Sequence, residues 1–348
     1  MDILLIAFLL IACFYMAWNI GANDLANAMG TSVGSKALTI RQVIIIAGVF
    51  EFAGAVLFGG RVTDKIATGI VPLGPVIESN LDTVAVGMLA AILAAGFWVT
   101  LATIKNLPVS TSHSIVGAIL GFGLVCAYDK VILLSDIHWG VLVSIIASWL
   151  LSPLLGGIVA YILFWIIRKK FFSNATETQV AATEKKFIIL QIVTACFVAF
   201  SHGSNDVANA VAPLSAVLNM YEEFSFPVVS VSFGVLIIGA AGMVLGLAMW
   251  GHKVIETIGS QITELTPTRG FSAQFSTAAV VLLCSYIALP ISTTHVLVGS
   301  VIGVGLAGGL TSVNLKVVKN IVSSWITTVP VSAMTSMFIF IGLSFIFL

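Results

Sequence analysis

The chain has 348 residues, of which 59% are hydrophobic and only 9% carry a charge. Soluble domains carry charges on about 25% of their residues, so the composition excludes a soluble globular protein. Fifteen basic and fifteen acidic side chains cancel. No net positive field is left to attract nucleic acid, which is therefore not an expected partner.

Ten apolar segments follow one another along the chain and predict membrane-spanning helices. They cover approximately residues 3–18, 43–60, 84–104, 109–127, 138–167, 187–204, 227–250, 273–289, 290–308 and 320–347. A helix needs about 20 residues to cross the hydrocarbon core, so several segments are marginal. The two longest contain Pro153 and Pro330, and each allows either a broken helix or two pieces. The segments predict an all-α polytopic membrane protein with about five to six transmembrane elements in each half.

The basic side chains predict the orientation of these segments. With the N-terminus outside, twelve of the fifteen lysines and arginines face the cytoplasm, and only Arg61, Lys65 and Lys130 remain outside. Cytoplasmic loops carry such an excess of positive charge. Because each half has an odd number of segments, the second half enters the membrane inverted relative to the first. The expected units are a first repeat over 1–167, a cytoplasmic linker over 168–186 and an inverted second repeat over 187–348, with both termini outside.

Two short polar motifs each occur twice, 182 residues apart. N-I-G-A-N-D-L-A-N-A begins at Asn19 and S-H-G-S-N-D-V-A-N-A at Ser201, with six of ten positions identical. P-V-S-T-S-H-S-I-V-G-A-I-L-G begins at Pro108 and P-I-S-T-T-H-V-L-V-G-S-V-I-G at Pro290, with seven of fourteen identical. Duplicated polar residues in an apolar chain predict a two-fold symmetric site inside the membrane.

The first motif predicts a cation site. On a helix, Asp24 and Asn23 lie three and four residues from Asn27, so the three side chains share a face. The same arrangement returns in the second half at Asn205, Asp206 and Asn209. Carboxylate and amide oxygens are hard ligands that suit Na⁺ or Mg²⁺ rather than zinc or copper. The alternative, asparagines that only join helices by hydrogen bonds, is less favoured because each copy carries an intramembrane aspartate that needs a partner.

The second motif predicts an anion site at two helix starts. Pro108 and Pro290 suit the first turn of a helix, and hydroxyl residues follow each proline. These residues are Ser110, Thr111 and Ser112 in the first half and Ser292, Thr293 and Thr294 in the second. Capping hydroxyls and free backbone N–H groups bind anions, and two inverted copies would converge near the midplane as broken helices or hairpins. The alternative is two proline-kinked helices whose hydroxyls bond their own carbonyls.

Charge balance links the two motifs. Neither contains lysine or arginine, and a divalent oxyanion beside Asp24 and Asp206 would collect about four negative charges in a low dielectric. Cations must therefore enter with an anionic ligand, which is the behaviour of a symporter, and no organic cofactor is expected. We expect Na⁺ to be held by Asp24, Asn27, Asp206 and Asn209, with Asn23 and Asn205 shared between the cation and the anion.

Three further residues are accessory candidates. Glu51 lies in the middle of its apolar segment, where the side chain cannot snorkel to the surface, and the position 182 residues later is Phe233. Its expected role is cation or proton handling, or a hydrogen bond to a neighbouring helix. His113 and His295 follow the hydroxyl clusters. A neutral histidine that orients a hydroxyl is favoured over a metal ligand, because no cysteine or second histidine has ligand spacing.

The paired motifs resemble those of the inorganic phosphate transporter (PiT) family, whose members carry G-A-N-D-V-A-N-A and P-[IV]-S-x-T-H signatures in both halves. The resemblance runs from Asn19 to about Pro330. It implies a carrier with about twelve transmembrane elements in inverted repeats. It also implies transport of phosphate with Na⁺, with H⁺ or as a metal–phosphate complex, and the family includes sulfate permeases. Two departures are a short linker and Gln274, which stands where some relatives carry glutamate.

The sequence therefore predicts a secondary transporter of the cell membrane that imports phosphate with Na⁺ by alternating access. Its expected partners are phosphate, sodium ions and the lipid bilayer. A sulfate or other oxyanion carrier, H⁺ coupling and a homo-oligomer stay open. An intramembrane hydrolase is disfavoured because an enzyme has no need of one site in two orientations, and a passive channel because buried acids favour tight coordination. Small residues are expected to permit sliding of the halves, namely Gly117, Gly121, Gly299 and Gly303.

Overall fold

The computed structural model describes residues 3–220, 233–255, 262–309 and 313–348. These residues form helices joined by short connections, with no strand among them. The α-helices are α1 (Ile3–Gly34), α2 (Ile40–Phe58), α3 (Gly60–Thr68), α4 (Leu73–Ser79), α5 (Leu81–Ile104), α6 (Thr111–Tyr128), α7 (Trp139–Phe171), α8 (Glu177–Leu218), α9 (Phe233–Trp250), α10 (Pro267–Tyr286), α11 (Thr293–Gly308) and α12 (Leu315–Phe347). A 3₁₀ turn covers Leu134–Asp136.

Within the described residues, each of the ten apolar segments lies mainly on a helix, so the predicted all-α polytopic fold is confirmed. Eight helices within the described ranges are long and apolar enough to cross a membrane, and α11 is a shorter apolar helix. The residues 227–232, with which one segment begins, lie outside the described residues. The predicted linker is largely helical, because α7 ends at Phe171 and α8 already begins at Glu177.

The two overlong segments are single helices. α7 continues through Pro153 and α12 through Pro330. The sequence had left open whether these segments were one helix or two, and the structure decides for one. A proline inside a helix has no N–H, so the carbonyl four residues earlier loses its helical partner.

The two hydroxyl clusters start helices, as predicted. Ser110 caps α6, and its side chain accepts a hydrogen bond from the His113 backbone N–H at 3.2 Å. Ser292 caps α11 and accepts from the His295 N–H at 3.3 Å. Side-chain caps of this kind satisfy backbone donors that have no partner in the first turn. The alternative of prolines within continuous kinked helices is thereby excluded at both positions.

The two halves of the chain are interleaved. α1 packs on α9, α2 on α8, α6 on α12 and α7 on α11. A Cβ atom added to Gly121 of α6 would collide with the backbone of Ala333 in α12, and one added to Gly303 of α11 would collide with Gly157 in α7. Gly117 and Gly299 make equivalent contacts with the same partner helices. These glycines therefore lie in close contact with partner helices, and the sliding expected at them stays a prediction.

Candidate functional site

Two aspartates, one from each half, lie at the centre of the polar site. Asp24 belongs to α1 and Asp206 to α8, and both are fully buried. Thr111 Oγ1 donates to Asp24 Oδ2 at 2.9 Å, and Thr293 Oγ1 donates to Asp206 Oδ2 at 2.6 Å. Each threonine follows its aspartate by 87 residues. The repeated motifs thus build the same aspartate–threonine contact twice.

Asn27 and Asn209, which follow the two aspartates by three residues, connect the two halves of the chain. Asn27 Nδ2 donates to Asp24 Oδ1 at 2.7 Å and to Thr294 Oγ1 at 2.7 Å. Asn209 Nδ2 donates to Ser112 Oγ at 3.0 Å. Each asparagine therefore bonds the hydroxyl cluster of the opposite half. The amide oxygens of both asparagines are buried without a hydrogen-bond partner among the described residues.

The two capped helix starts meet, as the sequence predicted. Ser112 Oγ donates to the Ile291 carbonyl at 2.9 Å, and Thr294 Oγ1 donates to the Val109 carbonyl at 3.2 Å. Each hydroxyl thus reaches the segment that precedes the other helix. All six residues of the two clusters are 4% exposed or less, so the clusters form one buried polar region.

Asn23 and Asn205 hold the segments before these helices. Asn23 Nδ2 donates to Thr103 Oγ1 at 2.9 Å, and Asn23 Oδ1 accepts from the Val109 N–H at 3.2 Å. Oriented for the best hydrogen bonds, the Asn205 amide accepts from Ser285 Oγ at 3.0 Å and donates to the Ile291 carbonyl at 3.3 Å. Both amides are engaged with the protein, and their direct contact with an ion stays a prediction.

A histidine that the sequence analysis did not single out lies between three carboxylates. His202 Nε2 is 2.9 Å from Asp206 Oδ2 and 3.9 Å from Asp24 Oδ2, and His202 Nδ1 is 3.1 Å from Glu51 Oε1. These are ion-pair distances, although neither ring nitrogen meets the geometry of a hydrogen bond. His202 and Glu51 are both 1% exposed. A buried carboxylate without a cationic partner is costly, so the contact accounts for the intramembrane Glu51.

Close packing of α2 on α8 creates this contact. A Cβ atom on Gly203 would collide with the Glu51 carbonyl, and one on Gly54 would collide with the Phe200 carbonyl. His202 precedes Asp206 by one helical turn, which places both side chains on one face of α8. The repeat-related residue of His202 is Ile20 and that of Glu51 is Phe233. A comparison of the two motif copies could therefore have found His202, because it replaces an apolar residue.

The two histidines named by the sequence analysis, His113 and His295, differ from their expected role. His113 and His295 are buried, but neither ring bonds a hydroxyl among the described residues. The two rings instead contact each other, with centroids 4.4 Å apart. The argument from ligand spacing had considered only residues close to each histidine in the sequence. It could not reveal this contact, because the two histidines are 182 positions apart in the chain.

Gln274 belongs to a polar chain beside α1. Gln274 Nε2 donates to Ser32 Oγ at 2.6 Å, and Gln274 Oε1 accepts from Thr194 Oγ1 at 3.2 Å. The chain continues through Gln191, which donates to the Thr31 carbonyl at 3.1 Å. The repeat-related positions are all apolar, namely Ile92, Leu214, Ala12, Leu9 and Pro213. The site is thus symmetric at the aspartates, whereas its surroundings are polar on one side and apolar on the other.

The central donor atoms suit a small hard cation. One oxygen of Asp24, one oxygen of Asp206 and a ring nitrogen of His202 lie within 4.8 Å of one another. The free amide oxygens of Asn27 and Asn209 belong to the same hydrogen-bonded network. Buried polar atoms in proteins are normally paired, so two unpaired amide oxygens in a network that includes a carboxylate indicate a place for a ligand. Oxygen donors of this type favour alkali or alkaline-earth cations.

Comparison with known proteins identifies the family. A family model described as the phosphate transporter family matches residues 20–336. The chain belongs to this family. It is therefore a multi-pass membrane protein of a transporter family, and the intramembrane hydrolase considered from the sequence is excluded.

Individual relatives of this family member cover almost the whole chain. A protein of Chlamydia pneumoniae, provisionally named a phosphate permease, is 39% identical over 99% of both chains. The chloroplastic inorganic phosphate transporter 2-1 of Arabidopsis thaliana is 38% identical over 92% of this chain and 69% of its own length. The solved structure of a sodium-dependent phosphate transporter matches with a TM-score of 0.87 at 36% identity, covering 99% of this chain and all of that one.

Proposed function

We propose that this protein imports inorganic phosphate together with Na⁺ across a cell membrane. The observation that carries the proposal is a direct hydrogen bond between the expected cation site and the expected anion site. Asn27, which bonds Asp24, also bonds Thr294 in the hydroxyl cluster of the other half. Family membership supports phosphate as the substrate, and the name of the matching solved structure supports sodium.

Phosphate would lie between the capped starts of α6 and α11. The hydroxyls of Ser110, Thr111 and Ser112 and of Ser292, Thr293 and Thr294 would bind its oxygens, aided by backbone N–H groups and by two helix dipoles. Anions bind at such helix starts because free N–H groups point toward them. Asn23 and Asn205 would support this site by fixing the segments that lead into each helix.

Sodium ions would lie beside the two aspartates. Asp24 with Asn27, and Asp206 with Asn209, each supply a carboxylate and an amide oxygen. Charge requires the ions, because the only basic side chain close to either aspartate among the described residues is that of His202. Phosphate and two aspartates would otherwise place several like charges in a low-dielectric interior.

Proton coupling is the second candidate, and the position of His202 favours it. Carboxylate oxygens face both ring nitrogens, so a proton on each nitrogen would complement Glu51 and Asp206 at once. Na⁺ is preferred because the two free amide oxygens can bind a metal ion, whereas protons would need only the carboxylates and the histidine.

Transport would follow from two inverted repeats, residues 1–167 and 187–348, that expose the shared site to each side in turn. Both termini would lie outside, with the 168–186 linker in the cytoplasm. Inverted repeats supply two related conformations, because each half can adopt the shape of the other.

Purified protein in liposomes tests the proposal. Labelled phosphate and sulfate would be offered under an inward Na⁺ gradient at equal pH, and then with choline in place of Na⁺ under an imposed pH gradient. Phosphate uptake that requires Na⁺ and is not competed by sulfate is the expected result. Uptake that persists in choline and follows the pH gradient would identify protons as the coupling ion. Preferential uptake of sulfate would identify sulfate as the substrate.

A further inference from the structure

Four rings lie against one another beside the two hydroxyl clusters. The ring centroids of His113 in α6 and Trp149 in α7 are 3.6 Å apart, as are those of His295 in α11 and Trp325 in α12. The two histidines meet edge to face at 4.4 Å. Each histidine directly follows its hydroxyl cluster, and its backbone N–H bonds the serine that caps its helix.

These rings join two tightly packed helix pairs. α6 is seated on α12 through Gly117 and Gly121, and α11 on α7 through Gly299 and Gly303. The stacks cross between the pairs, because the α6 histidine lies on the α7 tryptophan and the α11 histidine lies on the α12 tryptophan. Between the described residues of α6 and α7, and of α11 and α12, few other contacts exist.

His295 is also tied to the proline in α7. Pro153 has no N–H, so the Trp149 carbonyl four residues earlier lacks its helical partner. His295 Nδ1 lies 3.2 Å from this carbonyl, which can only accept, so the proton is on Nδ1. Ser148 Oγ donates to the Pro290 carbonyl at 3.3 Å. The segment that begins α11 is therefore bound to the proline region of α7 at two points.

We propose that His113 and His295 are positioning residues, whose crossed stacks on Trp149 and Trp325 hold the two hydroxyl clusters in register around one phosphate. The proposal rests on the transport function given above and adds residues that do not touch the ligand. Moving one helix pair without the other would separate the clusters. The rings resist this movement, because stacked aromatic pairs prefer a fixed offset geometry.

His113 and His295 should differ in which side-chain property supports phosphate binding, the ring face alone or the ring face together with a hydrogen bond. The ring nitrogens of His113 make no hydrogen bond of standard geometry among the described residues, and their weaker polar contact is with the Trp325 backbone, so this residue acts mainly through its ring face. His113→Phe should preserve phosphate affinity, whereas His113→Ala should weaken it. His295 adds a hydrogen bond to the Trp149 carbonyl, so both His295→Phe and His295→Ala should weaken phosphate binding.

The test measures Na⁺-driven phosphate uptake in liposomes, together with equilibrium phosphate binding, for each single variant and for the double alanine variant. Each alanine change should raise the phosphate concentration for half-maximal uptake by about twofold to tenfold, the range that aromatic pairs contribute. Because the stacks act as one unit, the double variant should lose less than the product of the single losses.

Phe122→Ala is the matched control. Phe122 meets Phe340 edge to face, with centroids 5.2 Å apart, within the α6–α12 pair rather than between pairs. It should lower the melting temperature and leave the phosphate dependence unchanged. Unchanged affinity in both alanine variants, strictly multiplicative losses, or an equal loss of affinity in Phe122→Ala would overturn the positioning role.

A readout without transport separates this proposal from the proposed function. In detergent, His113→Ala and His295→Ala should change the tryptophan emission of the protein, because Trp149 and Trp325 each lose a stacked ring. Unaltered tryptophan emission in both variants would contradict the stacking of the two histidines on Trp149 and Trp325. Failure of the unmodified protein to take up any labelled phosphate would overturn the proposed function instead.

Discussion

Asn27 in α1 donates a hydrogen bond of 2.7 Å to Thr294 in α11, a residue 267 positions later in the chain. The repeat-related bond joins Asn209 to Ser112 at 3.0 Å. An asparagine that stands beside an aspartate in one half thus contacts the hydroxyl cluster of the other. Under the proposed function, a cation bound at the carboxylates would change the hydroxyls available to the anion, which is the physical requirement for coupled transport.

Thr111→Val and Thr293→Val should each weaken phosphate binding while preserving side-chain shape. Each valine removes a hydroxyl that bonds a buried aspartate, and such a loss costs about 1–3 kcal/mol, or about 5-fold to 150-fold in affinity. The half-saturating phosphate concentration for uptake measures the effect. Thr327→Val, at an exposed position of α12, is the control and should match the unmodified protein. Wild-type affinity in both site variants would refute the hydroxyl ligands.

Asn27→Leu and Asn209→Leu should raise the Na⁺ concentration required for half-maximal uptake at constant pH. Each change removes an amide oxygen that is buried without a hydrogen-bond partner among the described residues and that we propose as a Na⁺ ligand. Na⁺ titrations at saturating phosphate measure the effect, and Asn314→Leu, at the start of α12, is the control. A Na⁺ dependence identical to that of the unmodified protein in both site variants would contradict these ligands.

Glu51→Gln and His202→Gln should each reduce uptake and thermal stability, because His202→Gln leaves Glu51 buried without a basic partner and Glu51→Gln removes the only carboxylate that faces His202 Nδ1 among the described residues. Breaking one side of a buried ion pair costs about 3–5 kcal/mol. The double variant should be less impaired than the two single effects combined, since it leaves neither member of the Glu51–His202 pair without the other, while Asp206 loses His202 in the double variant just as it does in His202→Gln. A double-mutant cycle tests this, with melting temperatures in detergent and initial uptake rates measured for the unmodified protein, both single variants and the double variant. Additive effects would mean that the two residues do not act as a pair.

Gly121→Ala and Gly303→Ala should lower the melting temperature and reduce phosphate uptake. A methyl group at either position meets backbone atoms of the partner helix, and overpacking of this kind costs about 1–3 kcal/mol. Gly342→Ala, where a methyl group meets nothing within 4 Å, should have no such effect. Normal uptake by both variants would show that the contacts between these helices are looser during transport.

Cysteine labelling should establish the orientation in the membrane. In a cysteine-free background, Ser173→Cys in the linker should react with an impermeant reagent only from the cytoplasmic side. Ser135→Cys, in the connection before α7, should react only from outside. Both residues are exposed, so reagent access on the correct side is expected. Labelling of the two positions from the same side would contradict the predicted topology.

The sequence alone determined the ingredients of the site. The 182-residue repeat located both aspartates, both hydroxyl clusters and the helix starts at Thr111 and Thr293. These features are local, because helix caps and shared helix faces depend on spacings of three or four residues. Hydropathy likewise located the spanning helices, since the membrane requires about 20 apolar residues in each.

Only the tertiary structure decided which partners these residues have. The contact of His202 with Glu51 joins α8 to α2, and the contact of His113 with His295 joins α6 to α11. Neither follows from a local spacing, because each depends on how glycine-seated helices from different halves cross. The same packing places Gly121 and Gly303 against the backbones of partner helices, which the sequence alone did not specify. The sequence repeat shows which residues of the two halves correspond to each other. Which residues come into contact depends instead on where the backbones of two helices can approach closely.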